Sequence, residues 1–142
     1  MSLTNIRSQL KTVITNLVSS TQIAIVYDYY EPNVSGYPAV VFDISSNTDS
    51  FFTNKENMIK TVFTAYIIVE IPNDGINDAK NKLDIVTDAL ITELRKESNL
   101  TLGGYADWIS PAVGARQQTD TPSGQAFVQQ LDITVNTTGL VN

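Results

Sequence analysis

The sequence predicts an α+β fold: an antiparallel sheet of about four to five strands with two helices packed on one face. Three observations carry this expectation. Two stretches, 3–19 and 76–96, repeat apolar residues every three or four positions, the period of a helix with one buried stripe. Three shorter stretches are rich in β-branched and aromatic residues and end in turn chemistry. The third observation is Ile59–Ile71, IKTVFTAYIIVEI, which is far longer than the usual strand of about five or six residues. The expected order is helix, three strands, helix, a short strand and a final strand, in a single domain covering 1–142.

The first helix is expected over Leu3–Ser19. Leu3, Ile6, Leu10, Val13, Ile14, Leu17 and Val18 share one arc, and Asn5, Arg7, Ser8, Lys11 and Thr12 lie outside it. Ser2 or Thr4 can cap its first turn. Ser19–Gln22 breaks the period, and Ile23–Tyr29 (IAIVYDY) reads as a strand. The turn residues Glu31–Gly36 then predict a hairpin into Pro38–Ser45 (PAVVFDIS), with proline at the strand's first position, where a missing N–H is tolerated. Ser46–Met58 is polar except for Phe51 and Phe52, and it reads as the extended tip of a second hairpin. Paired phenylalanines there are either folded back onto the core or placed against a partner.

In the long strand the odd positions Ile59, Phe63, Ala65, Ile67, Val69 and Ile71 form one apolar face. The even positions carry Val62, Tyr66 and Ile68 among Lys60, Thr64 and Glu70, which points to a second cover besides the helices. Pro72–Gly75 ends the strand, and Asn73 or Asp74 can cap a helix from about Ile76 to Lys96. Ile76, Ala79, Leu83, Val86, Leu90 and Leu94 form its buried stripe, and Ile85 falls on the outer face. Residues 97–125 read as a long irregular connection, with a short strand around Asp107–Ser110 anchored by Trp108 and a mobile Gly114–Gly124 segment. Phe127–Asn136 alternates as a strand, and 137–142 reads as a loose tail.

Composition narrows the chemistry. The chain has no cysteine and no histidine, so thiol chemistry, disulfides and imidazole catalysis are excluded. The residue set offers no catalytic, cofactor or metal site. G-x-G-x-x-G and G-x-x-x-x-G-K-[ST] are both absent, and a calcium loop around Gly75 fails at Pro72 and Asn81. Asp84 and Asp88, one turn apart on the second helix, read as a solvated face; Asp28, Glu31 and Asp43 flank the first turn in the same way. The net charge of −6 lacks the basic stripe of a nucleic-acid grip; on charge alone it reads first as solubility and is also compatible with a wall that nucleic acid slides past. Tyr27, Tyr29, Tyr30 and Tyr37 gather around the first hairpin, as interface tyrosines do. MSLTNIRSQL lacks a signal-peptide layout and no apolar run is of membrane-spanning length, so the protein is expected to be made and kept in a cytoplasm.

These phrases together give a resemblance over nearly the whole chain. The amphipathic first helix, YPAVVFDIS, NTDSFFTNKENMIKTVFTAYIIVEI, PNDGINDAKNKLDIVTDALITEL, and a final strand after a stretch containing Asp107–Trp108 resemble the tail terminator (tail completion) proteins of long-tailed bacteriophages. The resemblance implies a virion protein of the tail and neck. By that resemblance its copies are expected to form a ring, hexameric in the family, that caps the tail tube, ends tube polymerisation and joins the tail to a head-completion or connector protein. It implies no enzyme activity and no cofactor, with DNA passing through the lumen without specific binding. On that reading Val62, Tyr66, Ile68 and Ile85 are expected at subunit interfaces, and Phe51, Phe52 and Trp108 at the contact with the tube or another partner. Two other readings stand beside it: a head-closure or other neck protein, and a small dimeric ligand-binding or regulatory α+β module.

Overall fold

The computed structural model describes residues 3–19, 23–31, 33–51, 56–71, 75–121 and 124–140. The elements run α1 (Leu3–Ser19), β1 (Ile25–Tyr27), β2 (Ala39–Phe51), β3 (Glu56–Ile71), α2 (Ile76–Leu94), β4 (Trp108–Thr121) and β5 (Gly124–Leu140). Two one-turn 3₁₀ segments, Glu97–Asn99 and Leu102–Gly104, fill the link between α2 and β4. The five strands form one sheet in the order β1-β2-β3-β5-β4, so the chain is α+β as expected.

The sheet is mixed, which corrects the purely antiparallel expectation. β1 pairs parallel to β2, Ile25 opposite Ala39 and Tyr27 opposite Val41. The predicted first hairpin fails because the chain leaves the sheet edge after Tyr27. Arg7 on α1 donates to the Asp28 carbonyl, and the Tyr30 ring packs at a tilt against Tyr66 in β3, drawing the segment away from β2. β2 also runs on to Phe51 instead of ending at Ser45, and it stays paired with β3 up to Phe51 opposite Asn57. A bulge at Ser45, whose Oγ donates to the Val62 carbonyl, absorbs the extra residue.

β3 is the central strand. Phe63, Ala65, Ile67 and Val69 are buried beneath the helices, as the odd-position pattern predicts. They join Val40 and Phe42 of β2, Leu131, Ile133 and Val135 of β5, Ile6, Leu10 and Ile14 of α1, and Leu83, Val86 and Leu90 of α2 in one core. Both α-helices therefore lie on the same face. Gly75 occupies the N-cap of α2, Asn73 and Asp74 fall outside the described residues, and Ile76 is exposed at the first turn.

The largest departures lie after α2. The connection expected over 97–125 contains the 14-residue strand β4, and the tail expected to be loose continues β5, with Thr137–Leu140 paired to Ile59–Glu56. Val141 and Asn142 fall outside the described residues. β4 is an edge strand, which explains how Pro111 fits within it: a missing ladder donor is tolerated where no second neighbour exists. Gly114 and Ala115 form a bulge between Val113 and Arg116. The buried Gln129 braces it, its Nε2 donating to the Gly114 carbonyl at 3.0 Å while its Oε1 accepts from Arg116 at 2.8 Å. The segment expected to be mobile is thus tied to the middle of β5.

A polar knot joins α1, α2 and the first 3₁₀ turn. The buried Glu93 carboxylate accepts from Asn16 and Asn99 at 3.3 Å each and pairs with Lys96 at 2.7 Å. Burial is the largest single influence and pushes this carboxyl up; the hydrogen bonds from Lys96, Asn16 and Asn99 with the Lys96 charge together outweigh it and hold it below the usual glutamate value of 4.5. A carboxyl lowered on folding stabilises the fold above its unfolded pKa and loses that contribution as pH falls through its folded value. The urea midpoint should therefore fall as the pH drops below 4.5. Glu93→Gln should be less stable at neutral pH and lose less over that acid range. Parallel pH profiles for the two proteins would refute this assignment.

Candidate functional site

The face of the sheet turned away from the helices is the candidate site. Strand alternation places Val41 of β2, Val62, Tyr66 and Ile68 of β3, and Val128 and Gln130 of β5 on that face. In register, Ile68 lies between Ala39 and Val128, and Tyr66 between Val41 and Gln130. Val62, Tyr66, Ile68 and Val128 are only half-buried, because no helix covers them. A sheet roofed on one side only ordinarily turns a polar face to water, so the apolar residues on this side of β3 are surface that the helices leave uncovered.

A groove of about 600 Å³ runs across this face. Val41, Ile68 and Val128 form its floor, Tyr30, Glu31 and Tyr66 one wall, and Ala115, Gln117 and Thr119 of the distal half of β4 the other. The Tyr30 and Tyr66 rings sit 5.6 Å apart at 59°, a tilted contact of the kind aromatic pairs favour. The Tyr30 hydroxyl donates to the Thr64 carbonyl at 3.3 Å, which fixes the ring over the sheet. Burial, followed by the neighbouring Tyr66, Asp43 and Asp132, raises the Tyr30 phenol above its ordinary value, so it remains a neutral donor.

The expected site residues divide into three groups. Tyr66 and Ile68 meet in the groove, and Val62 lies on the same face nearer the β2–β3 hairpin. Trp108, 48% exposed, does not anchor a core; it opens β4 opposite Asn136, at the end of the sheet remote from Ile71 and Gln125. Ile85 is also 48% exposed, but it sits on α2 and therefore on the opposite side of the molecule from Val62, Tyr66 and Ile68. Phe51 ends β2, with its side chain outside what is described, and Phe52 lies outside the described residues altogether.

Tyr30, Glu31, Gln117, Thr119, Val128 and Gln130 were not legible as one site. They come from three separate segments, the stretch after β1, β4 and β5, and only the order β3-β5-β4 brings β4 and the Tyr30 segment to the two sides of one groove. The one usable signal was the alternation of Val128 and Gln130 against Phe127 and Leu131.

No family model matches this chain, and no curated protein matches it. The site must therefore be read from its own chemistry. Among the described residues no group of three or more Asp and Glu side chains converges as metal ligands do. Asp84, one member of the carboxylate pair on α2, is engaged by Arg116 at 2.7 Å. Asp43 is engaged by Arg7 at 2.8 Å. No helix among the described residues is long and apolar enough to cross a membrane. The open face itself presents an apolar floor, two tyrosines and a polar rim.

Proposed function

We propose that this chain is a structural protein of a bacteriophage tail and neck, whose copies form a ring that caps the tail tube, ends its polymerisation and joins it to the head. The observation that carries this reading is the unroofed sheet face, where Val62, Tyr66, Ile68 and Val128 present apolar surface that a monomer leaves partly in water. Aromatic and aliphatic side chains with a polar rim are the composition of a protein–protein interface. Two further features fit a ring subunit. The β2–β3 ladder continues to Phe51 and Asn57, giving a long hairpin suited to reaching a neighbour. The charge of −6 per chain, repeated around a lumen, repels DNA and lets it pass.

The test is the native mass of the purified protein by light scattering, with electron microscopy of assembled tails. A ring predicts a species several times the 15.6 kDa of one chain, six times for a hexamer, and particles at the end of the tube. A protein that stays monomeric at every concentration and is absent from tails would end the proposal.

A second reading has a specific observation behind it. A groove of about 600 Å³ is within the size range of a small-molecule site, which favours a ligand-binding module that dimerises. That module would show a low, fixed oligomeric state and no association with tails.

A further inference from the structure

We infer that the groove on the open face is a receptor for one cationic side chain, an arginine or lysine presented by a neighbouring copy of this chain. The inference rests on the open face being the contact surface proposed above, and it adds the chemistry of what enters it.

The charge of the groove points this way. Its one ionisable carboxylate is Glu31, and no lysine or arginine lines it. Glu31 accepts from the Asn33 backbone N–H at 3.0 Å, and among the described residues no salt bridge neutralises it. Asp132 stands beside the groove, accepting from Thr64 at 3.0 Å and from Gln130 at 3.3 Å, again without a cationic partner. The local field is therefore negative, and a neutral apolar side chain would leave it uncompensated.

The walls suit the same occupant. The tyrosine pair offers ring faces, and the electron-rich face of a fixed tyrosine attracts an ammonium or guanidinium. Tyr30 is held by its hydroxyl, so its ring meets the cation without first being ordered. Val41, Ile68 and Val128 give the methylenes of a long basic side chain an apolar floor, while the charged head reaches Glu31 and the amides of Gln117 and Gln130.

A second copy can supply the cation. Lys11, Lys60, Lys82 and Arg95 are exposed, and no salt bridge among the described residues engages them. Lys60 lies on the open face itself, opposite Asn136 and Thr48, displaced along β3 from the groove. One face therefore carries a site for a cation and, several residues away along the same strand, an exposed cation.

Nα-acetyl-arginine amide and its neutral isostere Nα-acetyl-citrulline amide test this directly, followed by methyl NMR shifts at Ile68 and Val128 together with native mass. The arginine probe should bind at least about tenfold more tightly than the citrulline probe. Glu31→Gln should remove the difference, and Tyr66→Leu should weaken the arginine probe severalfold. If the protein is assembled, Glu31→Gln should raise the dissociation constant of the assembly about tenfold. Equal response to the two probes, with assembly of Glu31→Gln unchanged, would overturn the inference. A monomeric protein that still discriminates the probes would overturn self-association and leave the cation site standing, so the two failures are distinguishable.

Discussion

Phe63→Ala should destabilise the fold by about 3–5 kcal/mol, the range for removing a fully buried aromatic ring. Phe63 is 0% exposed at the centre of β3, with Ile44 opposite on β2 and Ile133 opposite on β5. Its ring meets the Phe42 ring at 6.1 Å and 70°, and the Arg7 guanidinium lies 5.9 Å from its centroid. Truncation therefore opens a cavity where α1, β2 and β3 meet. It also removes the aromatic surface beneath Arg7, whose ion pair with Asp43 and bond to the Asp28 carbonyl hold α1 to the sheet edge. Domains of this size have stabilities on the order of 5–15 kcal/mol, so the loss would consume a large fraction. The midpoint of urea unfolding, followed by far-ultraviolet circular dichroism, measures it. Phe63→Leu should cost less than about 1.5 kcal/mol if repacking fills the site. An alanine variant within 1 kcal/mol of the parent, as an order-of-magnitude bound, would show that the inner strands close over the gap.

What the sequence disclosed follows the physics of burial. The α1 stripe from Ile6 to Leu17 and the α2 stripe from Ala79 to Leu94 are core in the structure, because a helix with one buried face writes that face into the sequence at its own period. β3 was legible for the same reason: alternation is strongest where one face is fully buried. β4 was not legible. Most of its residues from Ala112 to Asp120 are exposed on both faces, so burial imposes no alternation on them, and Pro111 and Gly114 resemble loop punctuation. Its order depends on a side chain far along the chain, Gln129, which local pattern does not encode. β1 was legible as a strand but not in direction, since three residues carry no register information and the parallel pairing is imposed by the departure of Asp28–Tyr30 toward Arg7 and Tyr66. The candidate site was half legible. Val62, Tyr66 and Ile68 follow from one strand's alternation, whereas the groove needs five segments brought together.

Ile68→Asp should abolish self-association while leaving the monomer folded. Ile68 is half-buried on the open face, so a carboxylate there stays within reach of water in the monomer but is enclosed when a neighbour covers the groove. Burying an isoleucine stabilises a contact by about 1.5–3 kcal/mol, and an enclosed, unpaired carboxylate adds a desolvation cost on top. Each 1.4 kcal/mol is tenfold in affinity, so the dissociation constant should rise by at least about a hundredfold. Val62→Asp should act in the same direction and more weakly, because its cross-strand neighbours Ser46 and Thr134 already make that end of the face polar. Ile85→Asp, on the far side of the molecule, separates the two possible contact surfaces. If the assembly uses only the open sheet face, this variant should assemble like the parent; if α2 is the second half of a ring contact, it should fail as well. Native mass and urea midpoint measured on each variant decide the matter. Should Ile68→Asp unfold the isolated chain, the open face would be part of the core, and the apolar surface that motivates a ring would already be used within one subunit.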